Sequence, residues 1–196
     1  PSPPPRSRSP DCRGRRRGRL APMRPPALGS LLLVCLSSWP LLATAGECRS
    51  RLHPLLLQAE PAAADLERVR ALCAAEAGAG DADATYQLAL FSLGLGGNWQ
   101  PAEAIPLIRE AADRGVTEAQ YWLAWQSESG PALPHDATVA LAWYEKAAAG
   151  RHRLALQRLA EASERGELGL PVDTRRALEY RAQIRRCDEE NARASR

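Results

Sequence analysis

From residue 84 onward, small and apolar residues recur at i, i+4 and i+5 in short blocks: Ala84, Leu88 and Ala89, then Ala119, Leu123 and Ala124, then Ala155, Leu159 and Ala160. That spacing lays one stripe along a helical face, so each block predicts a helix. Each is followed by a glycine- or proline-containing loop and a second apolar block, marked by Ala104-Ile105, Ala140-Leu141 and Ala177-Leu178. Corresponding positions are 35 to 37 residues apart. The pattern is one helix–turn–helix unit used three times, over residues 80–115, 116–150 and 151–187, an all-α arrangement.

The loops carry their own stop and start signals. Gly94-Leu95-Gly96-Gly97, Gly130-Pro131 and the stretch from Gly166 to Pro171 separate the two helices of each unit. Asp136 and Asp173 each follow a Leu-Pro-x step and stand where an N-cap accepts free amide hydrogens. In the first unit the aligned residue is Gln100, followed by Pro101 at the first helical position.

The stretch Ala140 to Gly150, "ALAWYEKAAAG", is the second helix of the middle unit. Ala147 and Ala148 answer Ala111 and Ala112 one unit earlier and let a neighbouring backbone come close. Trp143 answers Leu107 before it and Tyr180 after it, so the position asks for apolar volume and not for a chemical group. The stretch is a packing seam, and Gly150 is expected to end its helix in a left-handed C-cap.

Upstream, residues 46–79 predict two further helices, over 51–60 and 61–77, forming an N-terminal cap through Leu55-Leu56-Leu57 and the Leu66, Val69, Leu72 series. Residues 188–196 are expected to be a polar tail. Residues 1–22 hold seven arginines and no hydrophobic period, too little apolar surface to order. Met23 opens a different pattern: Arg24, an apolar run from Ala27 to Leu36, a break at Trp39-Pro40, then Ala43 and Ala45. This predicts a secretory signal peptide over 23–45, cleaved after Ala45, with residues 1–22 as upstream translation. The apolar run is too short for a membrane span.

Removing these segments changes the charge. The whole chain is +3, but the first 45 residues hold eight arginines against one acid, and the chain from Gly46 on is −4. The basic character belongs to the leader, and a nucleic-acid role loses its main support. The alternative, a basic nucleic-acid-binding arm, lacks the interleaved aromatic residues that single-strand binding favours. One lysine against 25 arginines points to a GC-rich, bacterial genome.

Three cysteines follow Gly46. An oxidising compartment permits a Cys48–Cys73 disulfide tying the chain start to the next helix, which leaves Cys187 free or intermolecular. Cys48 does not directly follow the small residues, as a lipid-acylation box would require.

Catalysis and ligation find little purchase. His53, His135 and His152 lie on different elements with no metal-ligand spacing. The "SESG" of residues 127–130 falls at a helix end without a nucleophile elbow, and the Gly94 to Gly97 stretch lacks the lysine of a phosphate loop. No enzymatic activity, metal or cofactor is expected. Trp122 and Trp125 stand three apart on one helical face, away from the stripe, and their counterparts Gln87 and Leu90 in the first unit show that the repeat does not demand aromatic volume there. The two tryptophans, with Gln87 and Leu90, are either candidate interface anchors or cover for a neighbouring helix and the inner wall of the solenoid.

The sequence A-x-x-x-L-A, a glycine loop, L-P-x-D and A-L-x-W-Y-x-K-A-A-x-x-G, present as Ala119, Leu123, Ala124, Leu133-Pro134-His135-Asp136, Ala140-Leu141, Trp143-Tyr144, Lys146-Ala147-Ala148 and Gly150, resembles the Sel-1-like repeat, a relative of the tetratricopeptide repeat. The resemblance implies a right-handed α-solenoid whose concave face holds protein partners, in adaptor roles in complex assembly, the envelope or host interaction. Arg181, Arg185 and Arg186 replace small residues in the last helix, as suits a terminal cap with a polar outer face. One secreted, cysteine-rich branch of the family is linked to β-lactam binding. Its paired cysteines in successive repeats are absent here, so a cell-wall or β-lactam hydrolase is only the competing expectation to an exported scaffold, periplasmic or extracellular.

Overall fold

In the computed structural model, residues 46–194 other than Gly96 and Asn98 are described. The leader and its cleavage after Ala45 lie outside them. Eight helices follow one another among the described residues: α1 Glu47–Leu56, α2 Ala63–Gly78, α3 Ala82–Ser92, α4 Pro101–Asp113, α5 Thr117–Ser129, α6 Ala137–Ala149, α7 Arg153–Arg165 and α8 Thr174–Ala194. Each packs on the next in the chain, and α1 also reaches α3. Helix packing runs mainly between neighbours in the chain, the organisation of an α-solenoid.

The repeat positions build the core. Ala89, Ala104, Ile108, Ala111, Ala112, Ala119 and Leu123 form the cluster between the first and second units. Ala124, Ala140, Tyr144, Ala147, Ala148, Ala155, Leu156 and Leu159 form the next. Leu141 and Trp143 pack at the edges of these clusters, half-buried, as a position of changing apolar identity requires. Because so many core side chains are alanine, helix backbones approach closely and a single Leu or Ile per turn closes the gap.

The loop inside each unit is closed by one repeated hydrogen bond. The N–H groups of Gln100, Asp136 and Asp173 donate to the carbonyls of Ser92, Ser127 and Ser163, each at 2.7 Å. Asp136 then caps α6 through Thr138 N and Val139 N, and Asp173 accepts from Arg176 N, as their place in the sequence predicts. Gln100 makes no side-chain cap, and Pro101 occupies the first turn of α4.

Gly150 departs from expectation. Its φ is −77°, not left-handed. The left-handed residue between units is the next one: Gly80 (φ 91°), Gly115 (φ 92°) and, in their place, Arg151 (φ 63°). Glycine stands at 150 for a different reason: a Cβ there would lie 2.0 Å from the Thr117 methyl. Close approach of α5 to the end of α6 excludes any side chain. Gly166, by contrast, is a left-handed C-cap at φ 72°.

The cap helices differ in extent from the 51–60 and 61–77 expected. α1 starts earlier, at Glu47, and ends at Leu56; α2 starts after Pro61. Cys48 and Cys73 form the expected disulfide, Cα–Cα 4.8 Å, inside a cluster with Leu52, Val69, Ala84 and Phe91. Leu55, Leu66 and Leu72 pack against that cluster, but Leu57 is 76% exposed and Leu56 faces solvent with it. Cys187, expected free or intermolecular, is buried at the α8 face. The residues expected as a polar tail continue α8, held to the start of α7 by Arg151–Glu190 and Arg153–Asp188 pairs at 3.1 and 3.2 Å.

Candidate interaction surface on the first helices

The first helices of the three units, α3, α5 and α7, carry the residues singled out as anchors. The structure separates them. Gln87 is buried at 9% exposure, Leu90 is half-buried, and Trp122 is half-buried against the cluster around Ile108 and Leu123. Trp125 is 43% exposed. Only one of the four is therefore open to a partner. Three residues turn a helix by about 300°, so the two side chains point about 60° apart, enough to put one over the core edge and the other in solvent.

Trp125 shares a helical row with Tyr121 and Glu128, at i−4 and i+3 on α5. The ring of Tyr121 stacks on His152 at 4.5 Å and tilts against Tyr144 at 5.9 Å. Glu128 accepts from the Tyr144 hydroxyl at 2.7 Å and from Arg158 Nε at 2.8 Å, and Arg158 donates onward to Glu167 at 2.6 Å. Burial pushes the Glu128 carboxyl up, but the Arg158 and Tyr144 hydrogen bonds outweigh it and hold it below the usual carboxylate range. Burial, then the Glu128 carboxylate, raises the Tyr144 hydroxyl. The hydroxyl stays protonated at neutral pH and serves as a donor. These groups satisfy one another, so they lock α5, α6 and α7 around Trp125 and leave no charge seeking a ligand.

A second lock lies at the start of the same helices. Arg49 of α1 pairs with Asp83 of α3 at 3.5 Å and with Glu118 of α5 at 3.2 Å. Asp83 and Glu118 occupy equivalent repeat positions, so one guanidinium ties the cap to both of the first two units. Tyr86 lies beneath, its hydroxyl pushed up to about 12 by burial and then by Glu118.

The sequence missed two features of this surface. Arg158 aligns with Trp122 in the repeat, and nothing local to it signals that it reaches Glu128 across 30 residues. His152 caps α7, its Nδ1 accepting from Ala155 N at 3.4 Å, so the ring must be neutral with its proton on Nε2. Burial depresses its pKa, with Glu118 opposing. The folded state thus binds this proton less readily than the unfolded chain. The associated stability is complete above the unfolded value of about 6.5 and is lost as pH falls toward the lower folded value. Thermal melts should show a lower midpoint at pH 5.5 than at 7.5. His152→Asn, which keeps an N-cap, should flatten the part of that slope that other carboxylates do not cause; an unchanged slope would assign it elsewhere.

Other chemistry is sparse here. His53, His135 and His152 lie on α1, in the α5–α6 loop and at the start of α7, and no group of three His, Cys, Asp or Glu among the described residues could hold a metal. Ser127 is buried. No described helix is long and apolar enough to cross a membrane.

The Sel1 repeat family model matches residues 82–116, 117–152 and 153–180, about half of the chain. No curated protein sequence matches it significantly. Among solved structures, a Sel1 repeat protein from Oxalobacter formigenes superposes with a TM-score of 0.60 at 22% identity, over 72% of this chain and 58% of that one. A protective antigen present in uropathogenic Escherichia coli strains, which displays the same repeat fold, superposes with a TM-score of 0.54 at 26% identity, over 60% of this chain and 25% of that one. The chain thus spans well under two thirds of the length of either. Three matched repeats, stacked as a solenoid with the family's alanine seams and aspartate caps, show that this chain belongs to the Sel1 repeat family.

Proposed function

We propose that the chain is an exported, non-catalytic scaffold of the cell envelope, periplasmic or extracellular, that holds a protein or peptide partner. The observation that carries this reading is Trp125, a large aromatic side chain left exposed on a rigid helix whose neighbours are locked by ion pairs and core packing. Sel1 repeats generally mediate protein interactions, and aromatic anchors on rigid elements hold most of the energy of such contacts. Binding needs no chemical step: the partner's apolar group covers the indole, held in place by the locked helices around it. Export is supported by the leader pattern of residues 23–45 and by the Cys48–Cys73 disulfide, a bond that persists in oxidising compartments.

Trp125→Ala should weaken partner capture by about tenfold or more while leaving the thermal midpoint nearly unchanged. Trp122→Ala should instead lower stability, because that side chain covers the second core. A photo-crosslinking residue at position 125 should give a discrete adduct in cells of the source, and one at the exposed Arg109 of α4 should not. Equal labelling from both positions would remove Trp125 as the anchor.

A further inference from the structure

A buried carboxylate waits where the chain enters α1. Glu76 is 2% exposed. Its Oε1 accepts from the backbone nitrogen of Cys48 at 3.1 Å and its Oε2 from that of Gly46 at 3.3 Å. Among the described residues, no cationic side chain pairs with it. A carboxylate so far from water without a counter-ion is costly, and two amide hydrogens offset that cost only in part.

The nitrogen nearest Oε2 belongs to Gly46, the residue at which the leader pattern starts the exported chain. We infer that Glu76 is the receptor for the α-ammonium of Gly46, created when the Ala45–Gly46 bond is cut. An endopeptidase specific for small residues adds water across that peptide bond. Ala45 leaves as a carboxylate, and the Gly46 nitrogen takes up a proton to become the cation that Glu76 lacks. In the uncut chain the same nitrogen is a neutral amide and offers a hydrogen bond without a charge.

Two features place the pair together. The Cys48–Cys73 disulfide holds the start of α1 against α2. Glu76 follows Cys73 by three residues and so projects from the same face of α2, while Gly46 precedes Cys48 by two. Gly46 itself has φ +91°, and a Cβ there would meet nothing within 4 Å. Backbone conformation and not space therefore calls for glycine here in the uncut chain; after cleavage that constraint is gone, and the disulfide and the register of Glu76 keep the nitrogen near Oε2. Processing would thereby complete the cap of the solenoid.

The inference rests on the export reading, and the test separates the two. The full chain, expressed with its leader in a secreting bacterial host, is purified from the exported fraction and its mass measured. The expected product begins at Gly46; a product beginning elsewhere overturns the proposal. That product has two amines, the α-amine and Lys146. Acetylation by an amine-reactive ester is then followed at each under native conditions. Pairing that raises the α-ammonium pKa by one unit removes nine tenths of the reactive free amine, so Gly46 should label about tenfold more slowly in the parent than in Glu76→Gln, with Lys146 unchanged. Equal rates for Gly46 in both overturn the Glu76 assignment while leaving export and the Trp125 surface standing. Glu76→Asp, one methylene shorter, should label faster than the parent, and an unchanged rate there also overturns it.

Discussion

Leu159→Ala is expected to cost about 2–5 kcal/mol of folding free energy, measured by chemical denaturation. Leu159 is fully buried in a cluster whose other members are largely alanine. Alanine neighbours have no side-chain freedom with which to fill a void, so the cavity left by the leucine should stay largely open. The effect should also spread. In a solenoid each unit is stabilised by its neighbours, and Leu159 on α7 shares its cluster with Tyr144 of α6, with Ile184 of α8 packed against it. Amide exchange of α8 should therefore quicken together with that of α7.

Leu178→Ala supplies the control. Leu178 occupies a repeat position equivalent to Ile105 and Leu141, yet it is 54% exposed. Its replacement should change stability by no more than about 0.5 kcal/mol. Comparable losses at both positions would mean that the core does not lie where the alanine seam places it.

Replacing Cys48 and Cys73 together by alanine should cost about 3 kcal/mol, the contribution of closing a loop of this length in the unfolded chain. The bond spans 25 residues and is the covalent anchor of α1, which the cluster around Leu52, the Glu76 hydrogen bonds and Arg49 also tie to the solenoid. Exchange at Leu52 should rise to that of a frayed end, while the second and third units keep their protection. Reductant applied to the parent should reproduce both effects. A stability within about 0.5 kcal/mol of the parent would show that noncovalent packing alone holds α1 in place.

Much of this architecture is local and was legible as such. The alanine–leucine stripe, its period, and the caps at Asp136 and Asp173 depend on residues within one or two helical turns of one another. The Cys48–Cys73 bond was legible because few cysteines follow Gly46 and the first two flank a single helical hairpin. The candidate anchors were legible only as a set of four. Periodicity gave Trp122 and Trp125 one face, but which of the two is covered depends on where α4 and α6 lie, which no local pattern states.

Similar reasons account for the remaining departures. Gly150 has a sequence signature identical to a left-handed cap, and only the Thr117 methyl, 33 positions upstream, makes close approach the true constraint. Leu56 and Leu57 read as core because three leucines run together, yet a helix can bury only one stripe, and the disulfide rotates α1 so that Cys48, Leu52 and Leu55 face inward. Arg158 on Glu128 and Glu76 at the start of α1 are encounters between groups far apart in the chain.

The sequence by itself thus determined the repeat, its helices, its caps and its family, because each is written in neighbouring residues. Tertiary structure alone decided which tryptophan meets solvent, which glycine serves space instead of conformation, and which buried acid faces the start of α1, because burial and pairing belong to the distances between helices.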